Sequence, residues 1–134
     1  MASFLDTNVL LYELDAADAF KRETARSLVA NLGKSGVISS QVLQEFAFVS
    51  TKMMGLSTEQ LAKVLDSYGM FKFVPIQAQL VQSAAQTSEL SQISFWDALI
   101  VEAAVFGRCK VLYTEDLNHG EEIRGVRIVN PFRA

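Results

Sequence analysis

The 134-residue chain contains one cysteine, one histidine and two prolines, and no apolar run approaching the roughly 18 residues that cross a bilayer. Cys109 alone cannot close an internal disulfide, so the fold must rest on its core. Its neighbours, RCKVLY, read as a buried strand, where a free thiol behaves as a small hydrophobe. A reducing compartment fits that usage. The N-terminus, MASFLDTN, carries an acid at position 6 where a signal peptide has basic residues and then a long apolar stretch. The expectation is a soluble cytoplasmic protein without membrane contact. No repeat, low-complexity tract or linker appears, which gives a single domain over residues 1–134. A basic surplus is also missing, and the net charge of −3 counts against a plain nucleic-acid binder. The objection weakens if several acids are ligands, since two divalent cations would bring the balance to about +1.

Half of the residues are hydrophobic, enough to bury roughly two thirds of the unfolded surface around one core. Short β-like runs alternate with helical ones. SFLDTNVLLY begins with a strand, and DAADAFKRETARSLVANLGKSG is helical, with Phe20, Ala25, Leu28 and Leu32 near one face and a stop at Gly33. GVISS is a strand, and QVLQEFAFVSTKMMG spaces Val42, Leu43, Phe46, Val49 and Met53 helically. STEQLAKVLDSYG opens with a capping-box pattern, Ser57 and Gln60. FKFVPI is a strand, QAQLVQSAAQTSEL and SFWDALIVEAAVFG are helices, the second stopped by Gly107, and CKVLYT and VRIVN are the last strands. Strands separated by one or two helices imply right-handed crossovers. The fold class is therefore a three-layer α/β/α sandwich around a mainly parallel sheet.

Ligand sites in such sheets form at the carboxyl ends of the strands. Asp6 follows the first strand, Asp116 lies two residues beyond CKVLYT, Glu45 sits on the helix after GVISS, and Asp97 is in the first turn of its helix. Each has an ordinary alternative. Asp6 in DTN can begin a turn, Glu45 can be a surface acid flanking an apolar stripe, Asp97 can complete a capping box with Ser94, and Asp116 can be a loop acid. Together the four would repel unless a cation neutralised them. Donor sets made only of oxygen favour Mg²⁺ or Mn²⁺ over zinc, and such a cluster suits phosphodiester hydrolysis.

The stretches FLDTNVLLY, SSQVLQEF, SFWDALIVEAA and LYTEDLNHGEEIRGVRIVNPF, in this order from Ser3 to Phe132, resemble PIN-domain ribonucleases, specifically the VapC-type toxins of bacterial type II toxin-antitoxin pairs. The resemblance implies a PIN-like fold and an Mg²⁺-dependent endoribonuclease, with Mn²⁺ as a substitute. Asp6, Glu45, Asp97 and Asp116 would be its acidic, metal-holding residues, and Thr7, Asn8 and Thr114 would orient the carboxylates or the water. It further implies an RNA substrate, a cognate antitoxin protein, and a homodimer or toxin–antitoxin hetero-oligomer. Glu115 adjoins Asp116, and alternation along LYTED points the two apart, with Asp116 matching the motif.

Other features read more plainly. His119 in LNHG suits a solvated turn, and Lys21, Arg22 and Arg26 a solvated helix face with phosphate contact as the functional option. Phe46, Phe48, Tyr68, Phe71 and Phe73 read as core, with an antitoxin groove as the alternative that the resemblance adds. Three competing functions remain: a PIN-type nuclease in RNA processing without a toxin role, a receiver-like phosphoacceptor module, and an aspartate-nucleophile phosphatase. The receiver wants adjacent acids after the first strand and a lysine after the last, whereas the chain has DTN and VNPF. The phosphatase wants a second Asp where Asn8 stands.

Overall fold

The computed structural model describes residues 1–133 and alternates strands with helices as the hydrophobic periods predict. The strands are β1 (Ser3–Leu5), β2 (Gly36–Ser39), β3 (Lys72–Val74), β4 (Val111–Tyr113), β5 (Glu122–Ile123) and β6 (Val126–Val129). The helices are α1 (Thr7–Tyr12), α2 (Ala19–Leu32), α3 (Ser40–Lys52), α4 (Thr58–Ser67), α5 (Ala78–Ser91) and α6 (Phe95–Phe106). Every residue of β1 and β2 is buried, as expected of strands covered on both faces. The sheet order is β3-β2-β1-β4-β6-β5, parallel except for β5, with Phe4 beside Val37 on one flank and Leu112 on the other.

Connectivity assigns the layers. The chain steps from β1 through β2 to β3 in one direction, so right-handed crossovers place α1 to α4 on one face. It then returns to β4 on the other side of β1, which carries the antiparallel pair α5 and α6 to the opposite face. The reversal lies between β1 and β4. An open parallel sheet has its natural crevice at that point, outside the carboxyl ends of those two strands.

Local chemistry explains the helix ends. Ser57 Oγ accepts from the Gln60 N–H, and Gln60 Oε1 accepts from the Ser57 N–H, completing the expected capping box. Gly107 does end α6, but its φ of −76° is not left-handed. Glycine is needed there for space, because a Cβ would lie 2.9 Å from Val37 Cγ1. Three expectations need correcting. Phe20 and Met53 are 56% and 73% exposed, although their helical spacing places them with the apolar stripes. Of the aromatic run, Phe46, Tyr68 and Phe71 are core, while Phe48 and Phe73 are exposed, one at the outer face of α3 and one on the edge strand. The β5–β6 hairpin was not foreseen, because a two-residue strand carries almost no periodicity.

That hairpin turns on Arg124 and Gly125, at φ 54° and 78°, the left-handed pair of a tight two-residue loop. Arginine is a poor choice for this conformation, and its side chain supplies the compensation. Its guanidinium donates to both carboxylate oxygens of Glu102, at 3.0 and 3.2 Å, and Thr87 Oγ1 donates to the same buried carboxylate at 2.9 Å. The turn is thereby tied to α6 and α5. Arg124→Ala should lower unfolding stability by about 2 kcal/mol, because it strands the Glu102 charge; the figure is below that of a fully buried pair since half of Arg124 is solvated. Leu99→Ala, at a buried α6 position, should cost about 2 to 5 kcal/mol. Urea titration measures both.

Candidate active site

Asp6 is the last residue before α1 and its N-cap, placed at the crevice by the end of β1. Its backbone N–H donates to Tyr113 O at 3.0 Å, continuing the β1–β4 pairing by one residue. The side chain is 5% exposed and has both oxygens engaged. Oδ1 accepts from the Thr7 N–H at 2.7 Å and Oδ2 from Thr114 Oγ1 at 2.7 Å. Thr114 Oγ1 in turn accepts the Asp116 N–H at 3.1 Å, and Asn8 Nδ2 donates to Asp116 Oδ2 at 3.1 Å. Thr7 through its backbone N–H, and Thr114 and Asn8 through their side chains, thus hydrogen-bond to Asp6 or Asp116. Glu115 goes elsewhere, to Lys21 Nζ at 2.9 Å and to the Tyr12 hydroxyl.

Burial pushes the Asp6 carboxyl up to about 7. The bonds from Thr114 and Thr7 oppose the rise, and the negative fields of Asp116 and Glu45 add to it. Asp116 is also held above the carboxylate range, first by desolvation, then by Asp97 and Glu115, with Glu45 contributing. Asp6 therefore lies in the field of Asp116 and Glu45, and Asp116 in that of Asp97, Glu115 and Glu45. No ion pair reaches Asp6 among the described residues.

Asp97 answers the capping question directly. Ser94 Oγ accepts from the Asp97 N–H at 3.0 Å, so the serine caps α6. Among the described residues the Asp97 carboxylate makes no return bond to the Ser94 N–H, unlike Gln60 in α4. Its charge stays available in the first turn, where backbone N–H groups favour an anion. Glu45 is exposed on α3, whose N-cap Ser39 is the last residue of β2. One contact was not foreseen: Gln41 Nε2, one turn before Glu45, donates to Trp96 O at 3.3 Å and ties the starts of α3 and α6 together. Its signal in the sequence is only its spacing of four from Glu45.

The donor set suits a hard divalent ion: carboxylates only, one of them buried without a compensating charge. Among the described residues, no three His, Cys, Asp or Glu form a ready-made cage. An ion here would take one or two carboxylates directly and keep part of its water, the usual habit of Mg²⁺. Among the described residues, Thr7 Oγ1 and Asn8 Oδ1 lie buried without hydrogen-bond partners beside Asp6 and Asp116.

The remaining polar candidates are committed elsewhere. His119 Nδ1 accepts from the Asn130 N–H at 3.0 Å, bracing the C-terminal segment. Arg22 Nη1 donates to the backbone oxygens of Asp15 and Ala16, and Arg26 Nε to Glu13 O. Cys109 is buried, with its thiol pushed up to about 11 by that burial.

The PIN domain family profile matches residues 3–121. A toxin-antitoxin complex from Klebsiella pneumoniae is similar in structure, with TM-score 0.73 and 18% identity over 97% of this chain and 98% of that one. So is VapC20 of Mycobacterium tuberculosis, described as a sarcin-ricin-loop-cleaving toxin, at 0.67 and 20% over 94% and 99%. DNA-bound VapBC from Salmonella typhimurium gives 0.69 and 22% over 96% of each chain. Curated protein sequences give no match.

The raised Asp6 carboxyl sets a pH signature for the cation-free protein. Its folded pKa lies above its unfolded value, so ionising it works against folding; stability should rise as pH falls from about 8 to 5, and the Asp116 shift acts in the same direction. Asp6→Asn keeps the shape and removes the buried charge. At pH 8 without divalent cations it should melt no lower than the parent and lose most of the pH dependence, as thermal denaturation would show.

Proposed function

The chain belongs to the PIN domain family, and from that membership we propose that it is an Mg²⁺-dependent endoribonuclease, a single nuclease domain over residues 1–134, acting as the toxin of a toxin-antitoxin pair. The observation that carries this reading is Asp6: a buried carboxylate at the strand-order reversal, within the negative fields of Asp116 and Glu45 and with no ion pair of its own among the described residues. Keeping such a group costs stability. A site that recruits a cation recovers that cost on binding.

Asp6 and Asp97 would hold the ion, helped by Glu45 and Asp116. When bound, the cation offsets the carboxylates and supplies Lewis acidity toward a water and the phosphate oxygens. Thr114 and the Thr7 N–H hold the Asp6 carboxylate in one orientation, and Asn8 does the same for Asp116. Glu45, exposed on the rim, takes a proton from the attacking water, directly or through a second water. The water oxygen bonds to phosphorus, the P–O3′ bond breaks, and the released 3′-oxygen takes up a proton. Attack by water rather than by the ribose hydroxyl leaves a 5′-phosphate and a 3′-hydroxyl.

The toxin role rests on the family and on structural relatives solved as toxin–antitoxin complexes. Exposed Phe48, Met53, Met54 and Met70 give apolar surface that a cognate antitoxin or a second copy can cover. The absence of a helix long and apolar enough to cross a membrane, among the described residues, agrees with a soluble, cytoplasmic site of action.

Purified protein should cut RNA with Mg²⁺ or Mn²⁺ and stop with EDTA. Asp6→Asn should abolish cutting while still melting cooperatively, and Asp97→Ala should lower activity and cation affinity with little loss of stability. Undiminished cleavage by Asp6→Asn would sink the mechanism. In cells, expression of the chain alone should arrest growth, and a neighbouring small reading frame should restore it. Cleavage without arrest would point to RNA processing instead.

A further inference from the structure

Trp96 is the only tryptophan of the chain and is 67% exposed, although it belongs to a helix buried continuously from Ala98 to Ala104. It directly precedes Asp97. Its backbone carbonyl is gripped by Gln41 across the gap between α3 and α6, one turn from Glu45. Its ring is braced edge-on by Phe95, with centroids 5.2 Å apart and planes at 82°. The largest aromatic surface in the protein is thus fixed at its root and left open on the rim that carries Asp97 and Glu45. A solvated indole forgoes considerable burial energy. Rigid aromatic faces in such places are stacking platforms for unpaired bases, since every base presents a π-face.

We propose that Trp96 stacks on a base adjoining the scissile phosphate and so governs which RNA segments enter the site. The inference rests on the nuclease reading above. A base already stacked within a duplex cannot lie on the indole, so this contact favours unpaired segments. It also explains how an acidic rim holds a polyanion, because stacking adds affinity that does not depend on charge.

The single tryptophan supplies the test. Asp6→Asn protein, which should bind without cutting, is titrated in Mg²⁺ with oligoadenylate, alone and annealed to oligouridylate, while tryptophan emission and the anisotropy of labelled RNA are followed. Saturable quenching by the single strand and little by the duplex is expected. In the otherwise unaltered protein, Trp96→Leu should raise KM about 10-fold with kcat and melting temperature little changed, and Trp96→Phe should recover most of the loss. Binding with silent emission, or an unchanged KM in Trp96→Leu, overturns the proposal and leaves the nuclease reading standing. So does emission that varies with protein concentration in the absence of RNA, which would mean that a second copy covers the ring. Failure of the parent protein to bind or cut any RNA removes the nuclease reading and this inference together.

Discussion

The hydrogen bond from Thr114 Oγ1 to Asp6 Oδ2, at 2.7 Å, joins the ends of the two central strands where the sheet reverses its order. Asp6 leaves β1 and starts α1, and Thr114 leaves β4, so the bond closes the crevice that the crossovers open. The same hydroxyl accepts the Asp116 N–H, and the turn after β4 takes its direction from it. The neighbouring Lys21–Glu115 pair and the Tyr12 hydroxyl hold Glu115 away. Asp116 rather than Glu115 then faces the acids, a choice that composition leaves open and one shared hydroxyl decides.

Asp6 shows why stability and site chemistry pull apart here. Its two hydrogen bonds lower its pKa, yet burial raises it further than they compensate. A chain selected only to fold would place Asn at this position, keeping the bond from the Thr7 N–H, donating to Thr114 Oγ1 where the carboxylate accepts from it, and dropping the charge. The carboxylate persists where it costs most, beside two like charges, which is the arrangement that gains most from a divalent ion.

Much of this was legible from residue patterns, for identifiable reasons. The alternation of apolar strands with amphipathic helices determines the layers and the parallel sheet, and the strand-end rule places Asp6 and Asp116 at its crevice. The Ser57–Gln60 box is local, so it reads directly. What escaped depends on tertiary contact. The β5–β6 hairpin is held by Arg124 reaching Glu102 rather than by a turn-forming pair such as Asn-Gly. Exposed Phe20 and Met53 satisfy a helical period without facing the core, because spacing reports a face and says nothing of what lies against it. Gln41 was invisible for the same reason: its partner is a backbone carbonyl 55 residues away.

α6 brings both halves of the problem onto one element. Its interior, Ala98 to Ala104, is buried against the sheet and α5, which makes it among the least mobile parts of the molecule. Ser94 caps its start with a hydroxyl, so the Asp97 carboxylate need not close the helix. The cap and the ligand are therefore separate groups on one turn. Were Asp97 to complete a capping box, as Gln60 does in α4, its charge would be spent on a backbone N–H and the rim would lose an acid. A rigid helix whose first turn carries the Asp97 carboxylate and an exposed indole presents both to the same edge with little ordering left to do on binding. The formal charge belongs to the same account. With its four candidate acids set aside as an ion's ligands, the rest of the chain is close to neutral and slightly positive, so the acidity that argues against a polyanionic substrate resides in the groups that would admit one.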